Sequence, residues 1–278
     1  MADYKIKNGI AIIPEETKEI PERAFFRCED LTTVIIPNAV TSIGNYAFCG
    51  CSVLMRVTIP NSVTEIGDYA FYGCSLLTEI TIPNCVSKIG CYAFDRCRAL
   101  TGITIPASVE SIGSSTFAHC SKLASIVIPE GVTSIGSSAF HACSGLTSVT
   151  MPNSLRSIED RAFEGCSALT EISIPNSVES IGNSVFHSCT SLRTVVIPEG
   201  VKSVGADAFF QCSGLTSVTM PISITSIETE TFYGCESLTD ITFQGTIAQW
   251  KKIELGDKWN CGIPATVVHC TDGDVEIY

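Results

Sequence analysis

The segment Leu123–Gly145, LASIVIPEGVTSIGSSAFHACSG, decides the fold, because it recurs along the chain at a fixed spacing of 23 residues. Ten copies follow one another if the imperfect first copy is counted, with no insertion or deletion. Three series keep this phase: Pro14 to Pro221, Phe25 to Phe232 and Cys28 to Cys235. A strict period of about 20–50 residues predicts stacked repeats, each burying its apolar face against its neighbours.

Each repeat predicts one turn of a solenoid. Leu123 to Ile128 alternates between apolar and polar residues, which predicts a short strand that Pro129 ends. Val132 to Ile135 is a second extended piece, and Ser137 to Phe140 predicts one helical or 3₁₀ turn. The inward residues are predicted to be Leu123, Ile126, Ile128, Val132, Ile135, Ala139, Phe140 and Cys143.

The glycine that recurs in most repeats, Gly136 in the quoted segment, does not predict a left-handed backbone. Gly136 is replaced by Glu159 and by Glu228 in two equivalent positions of the repeat. Glutamate resists a positive φ, so we do not expect one at this position.

The repeat LxxhxIPxxVxxIGxxAFxxC, with h apolar, resembles the BspA-like leucine-rich repeats of bacterial and protist surface proteins. The likeness covers about residues 8–243. The resemblance implies an α/β repeat solenoid, a right-handed leucine-rich-repeat-like superhelix with a parallel sheet on one face and little helix. It also implies adhesion at a cell surface or after secretion, and it supplies no catalytic residues.

We interpret residues 1–278 as one solenoid domain with a cap at each end, since open solenoid ends expose sheet edges and apolar core. Residues 1–13 predict a hairpin around Asn8-Gly9, and residues 8–237 form the ten repeats. Residues 238–278 predict a second cap. It contains a short helix from Ile247 to about Leu255 with Thr246 as its N-cap, and a hairpin turn at Asp272-Gly273 leading into Val275–Tyr278.

Composition limits the partners. The formal net charge of -12 disfavours nucleic acid and anionic membrane surfaces. No apolar run approaches the roughly 18 residues of a membrane span. The N-terminal sequence MADYKIKNG lacks the pattern of a secretory signal, which predicts either a cytoplasmic protein or a processed fragment.

Ten of the 15 cysteines belong to the 23-residue series. In-register side chains point the same way, so we predict buried, unpaired thiols rather than disulfides between neighbouring rungs. Cys261 and Cys270, outside the series, are the most plausible pair if any bond exists.

Three tyrosines at one repeat position are the first candidate site. Tyr46, Tyr69 and Tyr92 lie in consecutive repeats, with Tyr72 at their margin, and predict a stack of rings about 5 Å apart. They either cover the edge of the core or form a contact patch. The later repeats dispense with aromatic cover, which favours the contact patch; they carry Ser115, Ser138, Arg161, Ser184, Asp207 and Glu230 there.

A second candidate surface is the outward row of the first strand. It includes Thr58, Thr81, Thr104 and Thr150, which predict a flat sheet that binds a protein or a glycan. Strand propensity explains threonine equally well, and the row has no aromatic anchor.

Metal and enzyme sites are not expected. His141, Glu164 and His187 share one repeat position beside His119, but the two outer histidines are about 10 Å apart by strand spacing. We therefore predict no metal site and no cofactor. The chain carries none of the common hydrolase, phosphate-binding or zinc-protease motifs. The one enzyme alternative is a hydrolase in the C-terminal cap, where Trp250, Trp259, His269 and Cys270 occur.

These observations predict a non-enzymatic, monomeric scaffold for interaction or adhesion. Its expected partner is a protein or glycan on host or neighbouring cell surfaces. The alternative within the structural class is a spacer module of a larger surface protein, which would have no binding face.

Overall fold

The computed structural model describes residues 4–277 and is a β-solenoid in which each 23-residue repeat makes one turn. Residues 1–3 of the predicted N-terminal cap and Tyr278 of the predicted C-terminal cap lie outside the described residues. The predicted solenoid with parallel sheet and little helix is confirmed.

The first extended piece of each turn lies on one side of the solenoid, which we call the first ladder; its strands pair in parallel within three separate sheets. Its strands are Ile10–Ile12, Thr33–Ile35, Arg56–Thr58, Glu79–Ile80, Ser125–Val127, Ser148–Thr150, Thr194–Val196, Ser217–Met220, Asp240–Phe243 and Val267–Cys270. Isolated bridges join Glu79 to Gly102 and Glu171 to Thr194. Antiparallel strands flank the ladder at its ends, namely Lys5–Lys7 and Gly273–Glu276.

The second extended piece of each turn lies on another side, which we call the second ladder; its strands pair in parallel within two sheets, with a break between Lys88–Ile89 and Ser111–Ile112. Its strands are Glu19–Ile20, Ser42–Ile43, Glu65–Ile66, Lys88–Ile89, Ser111–Ile112, Ser134–Ile135, Ser157–Ile158, Ser180–Ile181, Ser203–Val204, Ser226–Ile227 and Glu254–Leu255. Partners within the repeats are one period apart, as in Ser134 opposite Ser157. Because the repeats have equal length, each residue lies against its own equivalent in the next turn.

The third side of the solenoid, which we call the turn face, is not the helical or 3₁₀ turn that the sequence predicted. Backbone N–H groups alternate between two acceptors: Ala139 donates within its own turn to Gly136 O at 3.1 Å, and Ser138 donates to Asp160 O in the next turn at 2.9 Å. Ser138 and Ala142 have φ values of 57° and 55°. Left-handed residues interrupt a helix, so half of the donors point along the solenoid instead.

Gly136 is outside the left-handed region, as the glutamates at its equivalents predicted. A Cβ at this position would lie 2.8 Å from Ile112 O and 2.9 Å from Ser114 N of the preceding turn. The glycine therefore allows close approach of two rungs rather than an unusual φ.

The core is a column of phenylalanines. Rings of the series from Phe25 to Phe232 stack on one another with centroids 5.1–5.7 Å apart. Tyr4 stacks on Phe25 at 5.1 Å, and Trp259 meets Phe232 edge-on at 6.3 Å. Aromatic groups thus close both ends of the column.

The cysteine series lies beside this column. Nine thiols, from Cys51 to Cys235, each donate to a phenylalanine carbonyl of the preceding turn at 3.0–3.3 Å. All 15 cysteines lie within residues 4–277 and none forms a disulfide, including Cys261 and Cys270. Burial raises the pKa of the Cys143 thiol to about 12. The prediction of buried, unpaired thiols is confirmed for this series, except that Cys28 is only half-buried.

The C-terminal segment continues both ladders. Its helix is shorter than predicted, Ile247–Trp250, although Thr246 caps it through a capping box with Gln249. The chain leaves the helix because Glu254–Leu255 must pair with Ser226–Ile227 in the second ladder. The hairpin turn is at residues 271–272, one residue earlier than predicted, since Cys270 pairs with Gly273. Our division into ten repeats and two caps remains a proposal.

Candidate functional site

The three tyrosines form a stacked column on the turn face. The ring centroids of Tyr46 and Tyr69 are 4.7 Å apart with planes 5° from parallel, and those of Tyr69 and Tyr92 are 4.5 Å apart at 3°. Tyr72 tilts against Tyr69 at 5.7 Å. The predicted stacking is confirmed; that these residues bind a partner remains a prediction.

A left-handed backbone presents these rings. Tyr46, Tyr69 and Tyr92 have φ values of 57°, 56° and 59°, and their later equivalents share that conformation. Tyr46 N donates to Asp68 O at 2.8 Å, and Tyr69 N donates to Cys91 O at 2.9 Å. Bonds between turns therefore hold the column at the rung spacing of the solenoid, and the rings are preorganised.

The two ends of the column differ. At one end the Arg23 guanidinium lies 5.2 Å from the ring centroid of Tyr46, a cation–π contact. At the other end the next two equivalents are Ser115 and Ser138. Within residues 4–277, Tyr92 makes no ring contact besides that with Tyr69. The face of Tyr92 toward Ser115 is therefore free of aromatic cover.

A groove of about 500 Å³ runs beside the column. We call it the tyrosine groove; its lining is Phe26, Tyr46, Cys49, Tyr69, Tyr72, Tyr92, Asp95, Arg96, Ser115, Ala118, His119, Ser138 and His141. Asp95 is only 5% exposed, and its Oδ1 lies 2.9 Å from His119 Nδ1. Burial raises the pKa of the Asp95 carboxyl, and the hydrogen bond to His119 opposes that shift.

The histidines do not assemble into a metal site. His119 and His141 meet edge-on with ring centroids 5.1 Å apart, and His141 Nδ1 lies 3.5 Å from Glu164 Oε2. His187 instead stacks on Phe210 at 4.8 Å. Among the described residues, no group of three or more His, Cys, Asp or Glu side chains is arranged to hold a metal ion. Burial lowers the pKa of His141, with Glu164 opposing the shift, so this imidazole is neutral at pH 7.

Sequence reasoning missed a second aromatic column. His187, Phe210 and Tyr233 stack on the turn face, with Phe210 and Tyr233 4.9 Å apart. They occupy the same repeat position as Phe26 and Tyr72. The sequence contained this pattern, because a ring-bearing side chain occurs at this repeat position in three consecutive repeats.

The threonine candidates lie on a different surface. Thr58, Thr81, Thr104 and Thr150 are exposed on the first ladder, and none lines the tyrosine groove. Their row also exposes Val127, with 63% of its surface accessible. Thr104 lines a cavity of about 490 Å³ beside Gly102, where pairing in the first ladder is interrupted. A role for these threonines in binding remains a prediction.

The C-terminal cap gives the hydrolase alternative no support. Trp250 and Trp259 are buried and contact each other at 6.0 Å, so they pack the cap. His269 Nδ1 lies 2.8 Å from Asp274 Oδ1 at the surface. Burial raises the pKa of the Cys270 thiol, with Asp272 and Asp274 adding to the shift, which keeps the thiol protonated rather than nucleophilic.

No helix among residues 4–277 is long and apolar enough to cross a membrane.

Comparisons with known proteins agree on the repeat. The family model for the BspA-type leucine-rich repeat region, which contains six repeat copies, matches residues 18–147 and 133–253. A solved leucine-rich repeat protein from Bacteroides ovatus ATCC 8483 is 28% identical, with a TM-score of 0.71 over 92% of this chain and 77% of that chain. Comparison with curated proteins gave no match.

Two further solved structures are similar. A leucine-rich cell surface protein from Faecalibacterium prausnitzii A2-165 is 30% identical, with a TM-score of 0.52 over 84% of this chain and 65% of that chain. A leucine-rich repeat protein from Eubacterium ventriosum ATCC 27560 is 24% identical, with a TM-score of 0.56 over 93% of this chain and 85% of that chain. The last likeness concerns the fold alone.

Proposed function

The chain belongs to the BspA-type leucine-rich repeat family, and we propose that it is a non-enzymatic scaffold that binds a protein or glycan partner through its turn face. Repeats of this family typically mediate protein interaction or adhesion. The tyrosine groove, bordered by the column of Tyr46, Tyr69 and Tyr92, is the contact site in this proposal.

The observation that carries the proposal is a column of three rings where the fold needs none. The same left-handed position holds Ser115, Ser138 or Ser184 in later turns, with the phenylalanine core unbroken beneath. Core packing therefore does not explain the tyrosines. Half-buried aromatic clusters are enriched at interfaces, because they offer large contact area at little conformational cost.

Rigidity supports the same function. A partner that docks on rings already stacked at 4.5–4.7 Å need not order them. Ordering each flexible side chain on binding costs about 0.5–1.5 kcal/mol, which this preorganisation avoids.

We further propose that the scaffold acts as a monomer at a cell surface or after secretion. The support is the similarity to the F. prausnitzii protein described as a cell surface protein. A spacer module is the second candidate within this class, and it would lack any face whose alteration affects binding.

The test combines capture of a partner with two sets of substitutions. Host extracellular matrix and cell lysate are passed over the immobilised protein, and captured partners are compared for wild type, for Tyr46→Ser/Tyr69→Ser/Tyr92→Ser and for Thr58→Ser/Thr81→Ser/Thr150→Ser. Loss of a partner with the tyrosine variant alone supports the proposal. A partner retained at full affinity by a folded tyrosine variant contradicts the site. Loss with the threonine variant moves the contact to the first ladder, and absence of any face-sensitive partner favours the spacer.

A further inference from the structure

The tyrosine column stops at Tyr92, and the place of its next two rings is left to small side chains. Ser115 and Ser138 occupy the column position in the next two turns, and Arg161 follows in the third. Three rung spacings separate Tyr92 from Arg161, about 14 Å. We call this stretch the serine slot; it opens into the tyrosine groove, which Ser115, Ser138 and Tyr92 all line.

The serine slot contains polar groups without partners. Neither the Ser115 hydroxyl nor the Ser138 hydroxyl makes a hydrogen bond within residues 4–277, and neither oxygen is fully buried. Both hydroxyls can therefore bond a ligand that carries hydroxyl groups of its own.

A free aromatic face beside two unpaired hydroxyls favours a sugar ring over an aromatic side chain as the ligand. An aromatic side chain of a partner protein would stack on Tyr92 but would bury the two serine hydroxyls unpaired. A sugar ring presents C–H groups to an aromatic face and hydroxyls at its rim. It therefore satisfies the Tyr92 face and the polar walls together.

The charges around the slot favour neutral sugars over acidic ones. The fixed charges near the slot include the carboxylates of Asp95 and Glu164, and the neutral His141 adds no positive charge. The nearby cations are engaged: Arg161 Nε lies 3.7 Å from Glu164 Oε2, and Arg96 lies over the ring of Tyr72 at 5.7 Å. The chain as a whole carries -12. Acidic sugars would meet repulsion without a free basic partner.

We propose that the serine slot binds a neutral hexose ring, stacked on the free face of Tyr92 and hydrogen-bonded to Ser115 and Ser138. This inference rests on the proposed function of the tyrosine groove and specifies its ligand. The sugar ring takes the place that a further tyrosine of the column would occupy.

The repeat itself supplies the decisive variant. Ser115→Tyr fills the slot with the side chain that the preceding turns carry, and the backbone accepts it because φ is 53° at Ser115 and 59° at Tyr92. The matched control is Ser184→Tyr, at the same repeat position with φ 54° and outside the groove lining. Both should fold, so a loss of binding by the first alone reports on the slot.

The probe is an array of neutral oligosaccharides built from glucose, galactose, mannose and N-acetylhexosamines, followed by Kd measurement on the strongest binder. Ser115→Tyr and Tyr92→Ser should each weaken binding about tenfold or more, because stacking and hydrogen bonding in the slot are both lost. The Kd of Ser184→Tyr should stay within about twofold of the wild-type Kd, a difference of at most roughly 0.4 kcal/mol.

Three results overturn the proposal. The first is that the wild-type protein binds no sugar on the array, and the second is that wild type and Ser115→Tyr bind the strongest sugar with equal affinity. The third is that wild type binds tyrosine- or tryptophan-containing peptides instead of sugars, and that Ser115→Tyr abolishes this peptide binding. The wider function is judged separately. A captured partner lost from the triple tyrosine variant but retained by Ser115→Tyr leaves the interaction scaffold standing and removes only the sugar slot.

Discussion

The Cys143 thiol donates a hydrogen bond to the Phe117 carbonyl oxygen of the preceding turn at 3.1 Å. The same oxygen also accepts a hydrogen bond from the backbone N–H of Cys120 at 3.3 Å. The Cys143 thiol therefore bonds to the second lone pair of the Phe117 carbonyl oxygen. The cysteine series is therefore a line of weak hydrogen bonds between turns as well as a line of small buried groups.

Cys143→Ala should lower the free energy of unfolding by about 1–2 kcal/mol, because it removes this bond and leaves a small void. Cys85→Ala is the matched control, since Cys85 is exposed and should change stability by less than about 0.5 kcal/mol. Chemical denaturation measures both. Equal stability of the two variants would show that neither the hydrogen bond nor the packing of the Cys143 thiol contributes to stability.

Thiol labelling should separate the cysteines by exposure. Cys85 and Cys261 are exposed, and ten cysteines are buried. Burial raises the pKa of Cys51, Cys189 and Cys235 to about 12, so at pH 8 these thiols are both shielded and protonated.

A chromogenic disulfide reagent at pH 8 should label the exposed thiols rapidly and the buried ones only after denaturation. The half-buried Cys28, Cys91 and Cys270 should react at intermediate rates. All 15 should react once the chain is unfolded under non-reducing conditions. Rapid labelling of ten or more thiols in the folded protein would contradict the packing of the series.

Acidification should destabilise the protein in part through His141. Burial lowers the folded-state pKa of His141 below its unfolded value of 6.5, and His119 and Arg161 lower it further. Glu164 and Asp95 oppose the shift. The unfolded chain then binds more protons, so this contribution is present above pH 6.5 and is lost as pH falls through the lower folded-state pKa.

The variant for this effect is His141→Gln, which should flatten the dependence of unfolding free energy on pH below about 6.5 relative to wild type. Denaturant melts at several pH values between 7.5 and 5 give the two curves. The carboxylates titrate in both proteins, so only the difference between curves is assigned to His141. Parallel curves would show that this imidazole titrates normally.

The C-terminal segment should be essential for solubility. Trp259 O accepts from Phe232 N at 2.8 Å, and the ring of Trp259 covers the last phenylalanine of the column. Removal of residues 238–278 would expose Phe232 and the free edges of both ladders. We expect aggregation or end-to-end association, visible as a shift in light-scattering mass. A truncated chain that stayed monomeric with an unchanged Tm would identify the segment as an appendage.

Trp259→Ala tests the same contact without removing a strand. It should destabilise the protein by about 3–5 kcal/mol, as expected for a large aromatic group lost from a core. Trp259 is 6% exposed, so the loss is one of packing. A cost below about 1 kcal/mol would argue against a role in closing the column.

By itself, the sequence determined the periodic part of this protein. The spacing of Pro129, Phe140 and Cys143 from their equivalents requires equal turns, and equal turns place identical residues against one another. The ladder registers, the buried thiols and the spacing of Tyr46, Tyr69 and Tyr92 follow from that one number. The same period also places His187, Phe210 and Tyr233 in a second column, which a search for Phe, Tyr and Trp alone does not identify because one member is an imidazole.

Only the tertiary structure decided how each turn closes and where the columns end. The left-handed φ of Tyr92 and Ser115 arises because alternate N–H groups bond to the next turn, a long-range constraint that local propensity does not encode. Position within the stack likewise decided that Arg23 covers one end of the column and that Tyr92 faces small serines at the other. A repeat specifies which residues are neighbours, but the three-dimensional packing of neighbouring turns decides which polar groups stay unpaired and which faces stay open.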